Sequence, residues 1–200
     1  MVGDMNTGTA AAVAAQAALD GYAAMAAVAP GGWRVELVDG HVRVTPQEDA
    51  GHAEIVASLA AQLGAQRADA EVRSGVGPVP VLALADAEMP GRVLPDLVLT
   101  RTGATTVTAA SALLVAEVTM KATGNVDRVE KVRAYARAGV AAYLLVDRHY
   151  RSTTLFTRPS GARYIQKDSV PFGERLALPA PLEATIDTAV FPAPVKPNTW

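Results

Sequence analysis

Two acidic residues in this sequence lie at the ends of apolar segments that are typical of buried strands. Asp96 begins one such segment, and Glu117 lies near the end of the next. A buried carboxylate without a partner is costly, so each requires a basic neighbour or a metal ion. In the helix predicted after them, Asp127, Lys131 and Tyr135 are spaced four residues apart and share one face. Two strand carboxylates beside a helix lysine could hold a divalent cation, activate water and stabilise charge on a phosphate.

The same residues also have purely structural interpretations. Asp96 could cap a turn, and Glu117 could form a buried salt bridge with Lys131 or Arg128. Lys131 could instead pair with Asp127 on a solvated helix surface, which stabilises a helix by only ~0.2–0.5 kcal/mol. The residue types and their spacing leave both interpretations open.

The elements that must position these residues follow from apolar periodicity, turn signals and helix caps. The predicted helices span residues 10–27, 49–66 (with Asp49 as the N-cap) and 125–138, the last ending at Gly139. The predicted strands span residues 33–38, 41–45, 71–76, 79–84, 94–100, 112–118, 141–146, 152–157 and 162–166, and Asp39-Gly40 forms the turn of the first hairpin. This order predicts one α/β domain with a mixed β-sheet flanked by helices, preceded by an Ala-rich helix and a β-hairpin.

The charge of the chain is segregated along the sequence. The net charge is −2, from 18 basic and 20 acidic residues, and taken alone it argues against a nucleic-acid-binding protein. However, residues 1–90 carry 4 basic and 11 acidic residues, whereas residues 91–200 carry 14 and 9. Arg128, Arg133 and Arg148 are candidates to contact nucleic-acid phosphates, with binding that weakens as salt rises, and the alternative is a solvated helix surface.

Several other functions are excluded or disfavoured by what the sequence lacks. It contains no cysteine, which excludes disulfides, Cys-ligated zinc and thiol catalysis. The nucleotide-binding and hydrolase motifs G-x-x-x-x-G-K-[ST], strand-linked G-x-G-x-x-G and G-x-S-x-G are absent as well. Residues 10–27 are mostly alanine and contain Gln16 and Asp20, so we predict no membrane anchor and a cytoplasmic protein.

Five short motifs occur in a fixed order between residues 33 and 166. They are Leu94-Pro95-Asp96-Leu97-Val98, Leu114-Val115-Ala116-Glu117-Val118-Thr119, Asp127-Arg128-Val129-Glu130-Lys131 continuing to Tyr135, Ala138-Gly139-Val140, and Tyr143-Leu144-Leu145-Val146-Asp147. The ordered set resembles the Uma-two family of predicted restriction endonucleases, a branch of the PD-(D/E)XK nuclease superfamily. The resemblance implies a restriction-endonuclease-like domain over residues 31–190. Residues 1–30 would then be a separate helix or leader and residues 191–200 a Pro-rich tail.

The resemblance also implies a function, namely cleavage of DNA with Mg²⁺ or Mn²⁺. By this resemblance Asp96 and Glu117 are the catalytic carboxylates that bind the metal, and the backbone carbonyl of Val118 is a further ligand. His52 corresponds to the histidine of the family's first helix, and Glu54 is an accessory carboxylate. The alternative is a structural role for His52, as a hydrogen-bonding residue at the start of its helix.

The superfamily motif has a lysine two residues after the glutamate, and in this sequence that position is Thr119. The resemblance therefore nominates Lys131, displaced onto the following helix, as the catalytic lysine. Lys121 is the competing candidate. Asp127 and Tyr135, which share a helix face with Lys131, are further accessory candidates.

Two other hypotheses remain beside the enzyme. Thr119 and Met120 depart from the pattern of the family, which is compatible with a degenerate nuclease fold that only binds nucleic acid or supports an assembly. The small side chains of residues 10–27 would allow a second copy of the chain to pack closely. We therefore also predict a homodimer or a larger homo-oligomer.

Overall fold

The computed structural model describes residues 5–46, 49–74, 82–84, 90–104 and 106–192. Within these ranges the chain forms the helices α1 (Met5–Val28), α2 (Ala50–Gln66) and α3 (Lys131–Arg137). The strands are β1 (Arg34–Val38), β2 (His41–Thr45), β3 (Ala70–Ser74), β4 (Leu82–Leu84), β5 (Gly91–Val93), β6 (Leu97–Arg101), β7 (Ala112–Val118), β8 (Ala142–Asp147), β9 (Ser152–Ser160), β10 (Arg163–Pro171), β11 (Arg175–Leu178) and β12 (Ala184–Asp187).

The largest sheet has six strands in the order β10-β9-β8-β7-β6-β3. Its central pair, β7 and β8, is parallel, and all its other neighbours are antiparallel. A parallel pair needs a crossover connection, and α3 lies in that connection between β7 and β8. The predicted mixed sheet with flanking helices is therefore confirmed, and β7 has the bounds predicted for it.

Alternation along β7 assigns its side chains to two separate cores. Leu114, Ala116 and Val118 belong to the core that α2 and the β11–β12 hairpin cover. Val115 belongs to the opposite core, which the four-stranded sheet and α3 cover. Glu117 has the same parity as Val115, so β7 directs this carboxylate toward α3.

The smaller sheet has four strands in the order β2-β1-β5-β4. Its hairpin turns at Asp39 and Gly40, both of which have positive φ (52° and 76°), as a two-residue type I′ turn requires. Only β4 is described of the strand predicted at 79–84, because residues 75–81 lie outside the described ranges. The sequence analysis missed β5, whose three residues are too few to show a periodic pattern.

The ends of α2 and α3 carry the predicted caps. Asp49 accepts a hydrogen bond from the backbone N–H of His52 at 2.9 Å, which caps α2. After α3, Gly139 has a φ of +75°, and the N–H of Val140 donates to the carbonyl of Tyr135, as in a Schellman motif. The helix predicted from residue 125 instead begins with a π-helical turn at Val126–Glu130, a geometry that often marks functional sites.

The C-terminal β11–β12 hairpin was not predicted from the sequence. Each of its strands has four residues, too few for a clear alternation signal. The side-chain amide of Gln62 on α2 bonds the backbone of Asp187, and that of Gln66 bonds Thr185, so the hairpin is fixed against α2. A short 3-10 turn, Thr188–Val190, follows.

Helix α1 packs along the β1–β2 hairpin, and no residue of its segment Thr9–Val28 is buried. Its segment Thr9–Val28 is long and apolar enough to cross a membrane by length and composition alone. The helix is longer than the predicted 10–27. Most of the predicted Pro-rich tail, residues 193–200, lies outside the described residues.

Candidate active site

A small cavity, about 220 Å³ when the adjoining open solvent is included, lies between the two sheets and the start of α3. It lies where β1, the residue before β6, the end of β7 and the π-helical turn approach one another. Its charged and titratable lining residues are Arg34, Glu36, His52, Asp96, Glu117, Asp127 and Lys131. All the acidic members of this group are buried, so each needs a donor or a cation beside it.

Strand pairing brings the two predicted metal ligands together. Strands β6 and β7 are antiparallel with Leu97 opposite Ala116, which places Asp96 beside the end of β7. The backbone N–H of Val118 donates to Oδ2 of Asp96 at 2.7 Å. Asp96 and Glu117 therefore face the same cavity because their strands are adjacent and their side chains have matching parity.

Three donors surround the carboxylate of Asp96. Nη1 of Arg34 lies 2.7 Å from Oδ1, and Nε2 of His52 lies 2.9 Å from Oδ2, which also accepts from Val118. Burial alone would raise the pKa of Asp96, but the hydrogen bond from His52 and the charge of Arg34 lower it to about 2. Asp96 is thus ionised at neutral pH.

Glu117 is held from the side of α3. Its Oε1 accepts hydrogen bonds from Nζ of Lys131 at 2.9 Å and from the hydroxyl of Tyr135 at 2.6 Å. Burial raises the pKa of Glu117, Lys131 opposes the rise, and the neighbouring charges of Asp96 and Asp127 reinforce it. The resulting pKa is about 8, so Glu117 takes up a proton more readily than Asp96.

Lys131 is enclosed by three carboxylates. Its Nζ lies 2.9 Å from Glu117 Oε1, 3.1 Å from Glu36 Oε1 and 3.5 Å from Asp127 Oδ1. Burial would lower the pKa of Lys131, but these three negative charges raise it above its usual value. The lysine therefore stays protonated.

The sequence analysis missed Glu36 and Arg34, two residues that β1 directs into this cavity. Oε1 of Glu36 accepts from the backbone N–H of Leu94 at 2.8 Å as well as from Lys131. Glu36 is an acidic residue within an apolar strand, the criterion that identified Glu117, so the sequence did contain a signal for it. Arg34 gave no such signal because a strand-end arginine is usually solvated.

A comparison with protein-family models decides the family. The model of the Uma2 family, described as "Putative restriction endonuclease", matches residues 19–190. The chain belongs to the Uma2 family. The resemblance found in the sequence motifs is thereby confirmed, and most of α1 lies before the matched region. None of the curated proteins matches the chain.

A solved structure resembles this Uma2 protein in fold. It is the crystal structure of a "putative nuclease belonging to DUF820" from Anabaena variabilis ATCC 29413, with a TM-score of 0.57 and 11% sequence identity. The match covers 75% of this chain and 83% of the other. At this identity the likeness shows the fold alone. The family and the structural neighbour are both described as nucleases.

Thr119, which stands where the motif in the sequence analysis has a lysine, has a structural role in this Uma2 chain. The hydroxyl of Thr119 accepts from the backbone N–H of Arg148 at 3.0 Å, and its own N–H donates to the carbonyl of Val146. Lys131 supplies the ammonium group beside Glu117 instead. Met120, the other departure from the family pattern, lines the cavity.

Two of the predicted accessory residues do not reach the site. Glu54 is exposed because it lies two residues after His52 on α2, which places it about 200° around the helix from that buried side chain. Lys121, the competitor of Lys131, is exposed in the turn after β7. Neither residue is among those that line the cavity in the described part of the chain.

The three arginines predicted to bind DNA differ in their surroundings. Arg133 is exposed on α3. Nη2 of Arg128 lies 2.9 Å from Asp147, and Nη1 of Arg148 lies 2.8 Å from Asp49. The carboxylates thus neutralise part of the positive charge that was counted from the sequence.

The cavity is rich in the ligands that Mg²⁺ and Mn²⁺ prefer, namely carboxylate oxygens. Four carboxyl groups face two permanent cations, and a divalent ion in place of the proton on Glu117 would balance their charge. Oδ1 of Asp127 is buried and accepts no hydrogen bond from the described residues. No ready-made group of three His, Asp or Glu ligands exists among the described residues, but Mg²⁺ commonly binds through one or two carboxylates and keeps several waters.

Proposed function

We propose that this Uma2 protein is a metal-dependent endonuclease that hydrolyses phosphodiester bonds of DNA. The observation that carries the proposal is the convergence of Asp96, Glu117 and Lys131, from two adjacent strands and one helix, in a single cavity. Two carboxylates and an ammonium group of this kind suit phosphate chemistry, because they can hold a cation and oppose the negative charge of the reacting phosphate.

In this proposal Asp96, Glu117 and the carbonyl of Val118 would hold Mg²⁺ or Mn²⁺. The ion, when bound, would polarise the phosphate and lower the pKa of a water molecule. Its charge would also favour the ionised form of Glu117 over the protonated form.

Lys131 serves as a fixed positive charge rather than as a base, because its three carboxylate neighbours keep it protonated. It would orient the attacking water and stabilise the charge that develops on the phosphate oxygens. Tyr135 and Glu36 position the groups that react: Tyr135 holds Glu117, and Glu36 holds Lys131. His52 fixes the orientation of Asp96.

The hypothesis of a degenerate binding module is less well supported than the enzyme. Thr119, which stands where the motif has a lysine, Met120 and the modest basic charge motivated it. Since Lys131 lies beside Glu117, the absence of a lysine at position 119 does not remove the ammonium group from the site.

In the enzyme proposal DNA would be the substrate, and exposed arginines such as Arg133 would contact its backbone.

Cleavage of supercoiled plasmid tests the proposal. Wild-type protein should nick the plasmid with Mg²⁺ or Mn²⁺ and should not do so in EDTA. Asp96→Asn and Lys131→Met should each lower the rate by about 10²-fold or more, because the first weakens a metal ligand and the second removes a positive charge at the reacting phosphate. Asp168→Asn, which changes an exposed carboxylate on β10, is the matched control and should cleave as wild type does.

Equal cleavage by wild type and Asp96→Asn would show that the assigned site is wrong and that any activity belongs to a contaminant. Circular dichroism of each variant establishes that a loss of cleavage is not a loss of folding.

A further inference from the structure

We propose that Arg34 binds the phosphodiester of the substrate. Without metal, Arg34 is paired with Asp96, and a divalent cation that binds Asp96 releases the guanidinium for the phosphate. This inference rests on the proposed function, since it assigns the group that receives the substrate phosphate at the same site. Arg34 lies outside the family motifs that the sequence analysis identified.

The first observation is that Arg34 lies at the opening of the cavity. Its side chain is 16% exposed, whereas those of Asp96 and Lys131 are 4% and 3% exposed. Among the described lining residues, Arg34 and Lys131 are the permanent cations. Because Lys131 is enclosed by carboxylates, an entering phosphate would meet the guanidinium of Arg34 first.

The second observation is that the two carboxylate oxygens of Asp96 have different partners. Oδ2 accepts from a backbone N–H and lies against His52 on α2, both of which belong to well-packed elements. Oδ1 contacts Arg34, whose long side chain can adopt other rotamers. A cation that binds Asp96 can therefore displace Arg34 from Oδ1 without disturbing the contacts of Oδ2.

The third observation is that the base of Arg34 is fixed. Arg34 pairs with Thr45 in the β1–β2 hairpin, and Glu36, two residues further along β1, is bonded to the N–H of Leu94 and to Lys131. The strand is thereby attached to the segment that carries Asp96. The guanidinium can move while its backbone stays in place, so it remains next to any ion bound at Asp96.

The charges in the cavity make this exchange favourable. With Arg34 on Asp96, the four carboxyl groups outnumber the two cations, so the cavity offers a phosphate no net positive charge. A bound divalent ion balances the excess and releases the planar fork of Arg34, which matches two phosphate oxygens. Metal binding and phosphate binding are therefore coupled through one side chain.

The test compares Arg34→Ala and Arg34→Lys with wild type. Arg175→Ala is the matched control, because Arg175 forms an Arg–Asp pair on the β11–β12 hairpin. Mn²⁺ affinity is measured by calorimetry without DNA. Affinity for a DNA duplex is measured by fluorescence anisotropy with Ca²⁺, after a gel has shown that the duplex stays intact.

The proposal predicts effects of opposite sign. Arg34→Ala should bind Mn²⁺ about fivefold more tightly, because the ion no longer competes with the guanidinium. The same variant should bind DNA about tenfold more weakly, which corresponds to one lost charged contact, and should cleave about 10²-fold more slowly. Arg34→Lys, which keeps the charge but not the fork, should regain part of the DNA affinity.

The outcomes separate this inference from the proposed function. If Arg34→Ala and Arg34→Lys weaken Mn²⁺ binding as well as DNA binding, Arg34 merely supports Asp96 and the inference is wrong. If wild type cleaves and both variants match it in all three measurements, the inference is wrong and the proposed function stands. If wild type does not cleave but the opposite effects on Mn²⁺ and DNA persist, the proposed function is wrong and Arg34 still binds phosphate.

Discussion

The ammonium group of Lys131 lies 2.9 Å from Oε1 of Glu117, although 14 positions separate the two residues in the chain. Strand β7 directs Glu117 toward α3, and the first residue of α3 is Lys131. Tyr135, one turn later, donates to the same oxygen. One short helix thus fixes the carboxylate through two side chains, which makes the orientation of Glu117 depend on α3.

We predict that Tyr135→Phe lowers both stability and activity. The variant removes the hydroxyl that donates to Glu117 at 2.6 Å and leaves a buried acceptor with one partner fewer, at a cost of ~1–3 kcal/mol. Because Glu117 would then be less well oriented, plasmid cleavage should slow by about tenfold to 100-fold. Urea denaturation and cleavage kinetics check the two effects separately.

Tyr164→Phe is the control for this variant. The Tyr164 hydroxyl donates to the carbonyl of Val140 at 2.9 Å, outside the cavity. Its loss should cost ~0.5–1.5 kcal/mol and leave the cleavage rate unchanged. Wild-type cleavage by Tyr135→Phe, combined with lower stability, would reduce Tyr135 to a packing residue.

We predict that the metal-free protein loses stability as the pH rises toward 8. The pKa of Glu117 is raised from 4.5 to about 8 in the folded protein, so between these values the folded state binds more protons than the unfolded state. The free energy of unfolding therefore falls as the pH rises through this window, by an amount on the order of a few kcal/mol. The charged and titratable groups that face Glu117 are Glu36, Asp96, Asp127, Lys131 and Tyr135.

Urea denaturation in EDTA at about pH 5 and about pH 8 measures this slope. Glu117→Gln cannot ionise, so it should flatten the slope relative to wild type. The comparison with wild type cancels the contributions of the histidines, which both proteins share. An identical slope in Glu117→Gln would mean that Glu117 does not titrate in this range.

Much of the fold could be predicted because some of its elements carry strong local signals. Strand β7 is buried on both faces, so its sequence is a continuous apolar run with clear ends. Asp39-Gly40 and Gly139 mark a turn and a helix end that require positive φ. Strands of three or four residues, such as β5 and β11, carry too few residues to establish a period.

The candidate site could be predicted only where its residues carry local sequence patterns. Asp96, Glu117 and Lys131 are revealed by acidic residues in apolar strands and by helical spacing, both of which are local patterns. Arg34 enters the site through a contact with Asp96, 62 positions away, and no local pattern contains such a contact. The family resemblance assigned Glu54 to the site as an accessory carboxylate, but the helical rotation places Glu54 and His52 on different sides of α2.

We predict that DNA binding is weak, sensitive to salt and tighter with Mg²⁺. Arg133 is exposed on α3, so Arg133→Ala should reduce the slope of log affinity against log salt by about 1, the value of one phosphate contact. Arg128→Ala should change the slope less, because Asp147 already neutralises that guanidinium. Fluorescence anisotropy over a range of salt concentrations, with and without Ca²⁺ in place of Mg²⁺, provides the measurement on an intact duplex. An equal slope for Arg133→Ala and wild type would place the DNA on a different face of the protein.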